Sequence, residues 1–77
     1  MKRRISVNPR IHFGKPCIAN TRITVQNVLE LNRDGIPFNK IIDDYYPEIK
    51  VEDIQACIQY AIDIIMSEDI KIETEAA

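Results

Sequence analysis

The sequence has no tryptophan, and it has only two glycines, two cysteines and one histidine among its 77 residues. Such a set is too small for the Cys/His clusters that hold structural zinc, so we expect no metal and no cofactor. No apolar run exceeds three residues, as in Ile64–Met66, which excludes a transmembrane helix. The basic residues Lys2–Arg4 are not followed by an apolar run. We therefore expect no signal peptide, and a cytoplasmic protein with reduced thiols.

Groups that would support catalysis are also scarce. His12 and Cys17 lie five residues apart in a turn-rich segment, with no third group placed to orient them. Asp43 and Asp44 are adjacent on a predicted helix, and adjacent helical side chains point apart. The single glycine of Gly14-Lys15-Pro16 does not make a phosphate loop, which needs several glycines before a helix. We expect a binding module and not an enzyme.

The length and composition predict one small globular domain. Hydrophobic residues make up 45% of the chain and charged residues 29%, as in folded proteins. A chain of 77 residues buries only a small core. Formation of a homodimer would add buried surface, so a homodimer is expected.

Charge is distributed unevenly along the chain, although the net charge is only −2. Residues 1–29 contain six cations and no acid, a net +6, whereas residues 30–77 contain four cations and twelve acids, a net −8. Such asymmetry suggests two surfaces with two kinds of partner. The alternative is that the two halves complement each other within a dimer.

The first 24 residues read as a basic arm of short extended pieces joined by turns. Ile5–Val7 is a strand candidate, and β-branched residues recur at 17–18 and 22–25. Asn20 is suited to a left-handed turn position between them. We expect residues 1–24 to form this β-arm, residues 25–67 a three-helix core and residues 68–77 an acidic tail.

Three helices are predicted after the arm. The first begins after Thr24, a suitable N-cap, and ends before Gly35. The second runs from about Pro37 to Tyr45, with Pro37 in its first turn and an apolar face of Phe38, Ile41, Ile42 and Tyr45. The third runs from about Val51 to Ser67. Its predicted apolar stripe is Val51, Ile54, Ile58, Ala61, Ile62 and Ile65. The residues expected to be buried together are Ile54, Ile58, Ile62, Leu29, Ile41 and Phe38.

One segment resembles a known family. The residues in question are Gly14, Pro16, Ile18, Thr21, Arg22, Ile23 and Val25, followed later in the chain by Gly35, Ile41, Tyr46, Pro47, Asp53, Ile54 and Ala61. Their order and spacing, from about Ile5 to Ile65, resemble the prokaryotic DUF433 family. Asn20 stands where that family usually has glycine, and asparagine tolerates the same left-handed backbone.

The resemblance implies a homeodomain-like, helix-turn-helix-like trihelical fold with an N-terminal β-arm, and an antitoxin-like role. The implied partner is a PIN-like ribonuclease toxin, and double-stranded operator DNA is a further expected ligand. The residues predicted to bind DNA are Lys2, Arg3, Arg4, Arg10, Lys15, Thr21 and Arg22. The third helix has no Lys or Arg between Val51 and Glu68, so it lacks the charge to hold a duplex.

Each of these assignments has a structural alternative. Arg22 would either contact phosphate or tie the arm to Asp43 or Asp44, and Thr21 would either bind phosphate or only form a turn. Lys2–Arg4 would be a DNA arm or a solvated terminus.

The tail and the function as a whole also have alternatives. The tail residues predicted to contact the toxin are Glu68, Asp69, Ile70 and Ile72; the alternative is that the tail has no role. The alternative to the whole function is a dimeric protein-interaction module without DNA binding.

Overall fold

The computed structural model describes residues 4–67 of the chain. The described part is mostly helical, with three α-helices and a two-stranded antiparallel sheet near its start. In chain order the elements are β1 (Ile5–Val7), a 3₁₀ turn (His12–Gly14), β2 (Pro16–Ile18), α1 (Val25–Arg33), α2 (Phe38–Lys40), a π-helical turn (Ile41–Tyr45) and α3 (Val51–Ser67).

The β-arm forms as predicted, from short extended pieces. β1 pairs with β2 so that Ile5 lies opposite Ile18, and Val7 lies opposite Pro16. The predicted extended stretch at 22–25 contributes a single bridge to Cys17, through Thr24, and no strand. Asn20 has φ 65°, which confirms the left-handed turn. The arm is therefore tied to the start of α1.

Helix α1 begins and ends where the sequence predicts. The Oγ of Thr24 accepts a hydrogen bond of 3.1 Å from the Asn27 N–H, which satisfies one of the unpaired donors at the helix start. After the helix, Gly35 has φ 93°, and the next N–H, of Ile36, reaches back to the Leu31 carbonyl. These bonds are typical of a glycine-terminated helix.

The second helix differs from its prediction. Pro37 is the N-cap residue rather than a residue of the first turn, and the α-helix lasts only from Phe38 to Lys40. It continues as a π-helical turn, in which the Tyr46 N–H donates to the Ile41 carbonyl at 2.8 Å. The wider turn holds one extra residue. Tyr46 rather than Tyr45 therefore packs against the core, and Tyr45 is exposed, contrary to the predicted apolar face.

Helix α3 has the predicted bounds, but its buried stripe is shorter than predicted. Ile54 and Cys57 are fully buried, whereas Val51, Ile62 and Ile65 are 42%, 41% and 66% exposed. A helix of 17 residues is roughly 25 Å long, and the 9 residues of α1 span only about 13 Å. Helix α3 is therefore nearly twice as long as α1, and most of its exposed apolar side chains lie in its second half.

The core collects residues from every part of the fold. Its buried apolar members are Ile18, Ile23, Val25, Val28, Ile41, Ile49, Ile54 and Cys57, with Leu29, Phe38, Ile58 and Tyr60 among the partly buried residues packed against them. The predicted core is confirmed for Ile54 and Ile41 and wrong for Ile62. No buried side-chain polar atom lacks a hydrogen-bond partner within residues 4–67.

Truncation of two isoleucines on α3 should separate the buried stripe from the exposed end. We expect Ile54→Ala to lower the free energy of unfolding by about 2–5 kcal/mol, because it opens a cavity in a closed site. Ile62→Ala, the matched control, should lower it by much less, because that side chain is 41% exposed. Urea denaturation of both variants checks this. Equal losses would contradict the assigned faces of α3.

The two thiols should be unreactive in the folded protein. Cys17 and Cys57 are both buried, and burial, with a smaller contribution from Asp53, raises the pKa of Cys57 from 9.0 to about 12. Alkylation requires the thiolate. In a Cys17→Ala variant at pH 8, we expect iodoacetamide to modify Cys57 only after urea is added. Modification at the same rate without urea would contradict the burial.

The same pKa shift predicts a change in stability at alkaline pH. The folded state holds the Cys57 proton more tightly than the unfolded state does, so the contribution to stability is complete below pH 9.0. It is lost as the pH rises from 9.0 towards 12. The free energy of unfolding should fall over this range in the wild type, and less in Cys57→Ala.

Candidate nucleic-acid and partner surfaces

The described residues include part of each predicted site. Lys2 and Arg3 lie outside them, as do the tail residues predicted to contact a partner, Glu68, Asp69, Ile70 and Ile72. The remaining predicted DNA-binding residues are Arg4, Arg10, Lys15, Thr21 and Arg22. All but Thr21 are exposed.

The four exposed cations of the arm form two groups, one at each end of the small sheet. Arg10 and Lys15 lie in the connection that joins β1 to β2, beyond the Val7–Pro16 pair. Arg4 and Arg22 lie at the other end, where the Ala19 N–H donates to the Arg4 carbonyl at 2.7 Å. Three residue pairs separate the two ends, which is roughly 10 Å. The arm thus carries two basic patches rather than one.

Arg4 has a structural contact that the sequence did not reveal. Its Nη1 donates to Asp53 Oδ1 at 2.8 Å, which joins the arm to the first turn of α3. The other oxygen of Asp53 accepts from the Lys50 N–H at 2.9 Å and so caps the helix. No pattern in the sequence links residues 49 positions apart, so only the fold brings this pair together.

For Thr21 and Arg22 the structure shows the contacts made within the described part of the chain. The Thr21 hydroxyl donates to the Ile18 carbonyl at 2.8 Å and accepts from the Ile23 N–H at 3.0 Å, so it forms the turn. Arg22 makes no ion pair with either predicted acid within the described part of the chain; Asp44 lies 3.9 Å from Lys40 instead. The predicted tie from Arg22 to Asp43 or Asp44 is therefore wrong. Its guanidinium remains available to a ligand.

The connection between β1 and β2 has an unusual backbone. His12 and Phe13 have φ of 51° and 55°, and Gly14 follows with φ 85°. The left-handed region is unfavourable for most residues other than glycine, although asparagine, aspartate and histidine adopt it more often than the others. The Phe13 side chain is 99% exposed. Sequence reasoning missed this feature; the available signal was an aromatic residue directly before a turn glycine and between two cations.

An apolar groove of about 450 Å³ runs between α1, α3 and the start of β2. The apolar side chains that line it are Pro16, Val25, Leu29, Tyr60, Ala61 and Ile64. Beyond it, Ile65 and Met66 are 66% and 72% exposed on the last turn of α3. Only Ser67 separates these apolar residues from the acidic tail in the sequence. Residues 62–67 are called the C-terminal surface here, and the acidic residues 68–77, which lie outside the described part, follow them in the sequence.

Within residues 4–67, no cluster of three or more histidine, cysteine or acidic residues is placed to hold a metal ion. The Cys17 thiol donates to the Lys15 carbonyl at 3.4 Å. No helix of this region has the length and apolar character needed to cross a membrane.

Comparison with known proteins agrees with the motif and with the fold. The profile of the family described as protein of unknown function (DUF433) matches residues 5–61. No curated protein matches the chain significantly.

A crystal structure of a DUF433 member protein from Anabaena variabilis is similar, with a TM-score of 0.76 at 26% sequence identity. The match covers 88% of this chain and 66% of that chain, so the present chain spans slightly less than two thirds of the solved protein. The profile match covers most of the sequence, including the arm, the first two helices and the first half of α3; the chain therefore belongs to the DUF433 family.

Proposed function

We propose that the protein is an antitoxin-like module that binds operator DNA through its arm and a PIN-like ribonuclease through its C-terminal surface. The observation that carries the proposal is the division of the chain into two exposed surfaces of different chemistry. The arm has four exposed cations among the described residues, and residues 1–29 contain no acid. The end of α3 is apolar and leads into an acidic segment.

The arm is suited to phosphate because its cations are accessible. Arg10, Lys15 and Arg22 are exposed and make no ion pair within residues 4–67. When such side chains neutralise DNA phosphates, the counterions condensed on the DNA are released. This release gives affinity without sequence specificity. Arg4 contributes less, because Asp53 already holds it.

Helix α3 is not suited to read the major groove, although a homeodomain-like arrangement would place its third helix there. Its exposed polar residues are Glu52, Gln55, Gln59 and Asp63. Gln59 donates to Asp63 at 2.8 Å, so its amide is already engaged. The proposal therefore keeps a homeodomain-like core as scaffold and assigns DNA contact to the arm alone.

The C-terminal surface is suited to a protein partner that carries basic charge. Exposed isoleucine and methionine side chains offer apolar area that a small monomer usually buries. The acids of residues 68–77 would complement the cationic groove of an RNA-cutting enzyme. Ile70 and Ile72 are spaced to add a strand to an exposed sheet edge. The same surface could instead join two copies of the chain, which is the dimeric alternative.

DNA binding by the arm should be weak and sensitive to salt. If the arm neutralises about four phosphates, a plot of log affinity against log salt should have a slope of about −3.6. We expect Arg22→Ala to reduce the steepness by about 1, because it removes one phosphate contact. Lys40→Ala, an exposed cation outside the arm, is the control. A labelled duplex from the protein's own promoter provides the measurement, and no binding at low salt would refute this part of the proposal.

The proposed contact with the nuclease is tested by changes at the C-terminal surface and in residues 68–77. Deletion of residues 68–77, or the double change Ile65→Ser and Met66→Ser, should weaken binding to the nuclease encoded by the adjacent gene by at least tenfold. The melting temperature should change little, because Ile65 and Met66 lie outside the core. Val7→Ser, which alters another exposed apolar residue, is the matched control.

Calorimetry with the purified nuclease measures this affinity, and sedimentation measures self-association. Unchanged nuclease affinity with loss of self-association would favour the dimeric alternative.

A further inference from the structure

The connection between β1 and β2 combines an unfavourable backbone conformation with an exposed aromatic ring. Two residues other than glycine, His12 and Phe13, are held in the left-handed region. That conformation is unfavourable for a residue such as phenylalanine. Burial of the Phe13 ring does not compensate for this strain, because the side chain is 99% exposed. Backbone strain of this kind persists where the surroundings enforce it and often marks a contact with a ligand.

Local hydrogen bonds hold the connection in this shape. The Asn8 side chain accepts from the Arg10 N–H at 2.8 Å, and the Asn8 carbonyl accepts from the Ile11 N–H at 2.9 Å. The Gly14 N–H then donates to the Ile11 carbonyl at 3.1 Å, and the Lys15 N–H donates to the His12 carbonyl at 3.1 Å. The turn is thus closed by its own backbone, and the ring is presented without support from the core.

The charges beside the ring indicate the chemistry of its partner. Arg10 lies three residues before Phe13 and Lys15 two residues after it, and both are exposed. The nearest acid in the sequence is Glu30, on α1, which lines the same groove as Lys15. An apolar pocket in a protein would not need two cations at its rim, whereas a nucleic-acid base always lies between phosphates. Aromatic rings flanked by Arg or Lys are the usual platform for an unstacked base, and apolar wedges also insert between base steps of a duplex.

We infer that Phe13 stacks on a base of bound nucleic acid, while Arg10 and Lys15 contact the phosphates on either side. This inference rests on the proposed DNA-binding function and adds the residue that anchors it. The ring either inserts between base pairs of a duplex or stacks on a base of a single strand. The chemistry of the contact is the same in both cases.

The test exploits the absence of tryptophan from the chain. Phe13→Trp introduces a single tryptophan at the tip of the connection. Its affinity for the labelled promoter duplex, or for one strand of it, should stay within about twofold of the wild type. Its emission should be quenched, and shielded from acrylamide, when nucleic acid binds. The form that quenches at lower concentration, duplex or single strand, identifies the mode of stacking.

Removal of the ring gives the complementary result. Phe13→Ala should weaken binding by about tenfold or more, in line with the loss of one base stack. Val7→Ala, another exposed apolar side chain on the arm, should bind as the wild type does. Phe13→Gly should lose the same affinity and raise the melting temperature, because glycine adopts the left-handed backbone without strain.

The outcomes separate this inference from the function on which it rests. If Phe13→Ala binds as the wild type does while Arg22→Ala weakens binding, the arm binds DNA and the stacking role is wrong. Unchanged tryptophan emission at saturating duplex and single strand would also overturn it. If Phe13→Ala instead loses only self-association or nuclease binding, the ring is a protein contact. If the wild type binds no nucleic acid at low salt, both proposals fail.

Discussion

The whole fold depends on the burial of one short stripe of α3 against the elements that precede it. Ile54 and Cys57 are fully buried, and they meet Val28 from α1 and Ile41 from the π-helical turn in a single cluster. Apolar burial supplies most of the favourable free energy of folding, and a domain of this size has little of it in excess. Segments outside this cluster must therefore either add little strain to the folded state or be stabilised by local contacts.

The arm illustrates that local stabilisation. Ile18 and Ile23 reach the core, and the hydroxyl of Thr21 closes the turn between them with two hydrogen bonds. The Arg4–Asp53 pair adds a second tie to α3, although an ion pair exposed on one side contributes little by itself. These contacts leave the β1–β2 connection free of the core. A strained, exposed loop with the cations Arg10 and Lys15 can be carried there without disturbing the helices.

The end of α3, in contrast to the arm, exposes apolar side chains. The helix is nearly twice as long as α1, and the isoleucine and methionine side chains of its last turns are 41% to 72% exposed. A periodic apolar pattern along a helix normally indicates a buried face. Here the pattern continues past the core, as expected of the surface that we propose to contact a partner. The acidic residues that follow in the sequence also favour a protein partner for this surface, since they would repel DNA and attract a basic protein.

Local chemistry alone determined much of this protein. The Thr24 cap, the left-handed Asn20, the glycine after α1 and the bounds of α3 were all predictable, because each depends on backbone preferences of a few adjacent residues. The family membership was also predictable, because the motif residues keep their order and spacing along the sequence.

Tertiary packing decided the rest. It selected Tyr46 over Tyr45 through the extra residue of the π turn, and it brought Arg4 to Asp53. It also left Ile62 41% exposed, although this residue belongs to the predicted apolar stripe. These outcomes depend on which elements contact each other in space and on where each element ends. A pattern of residue types along one sequence does not contain this information.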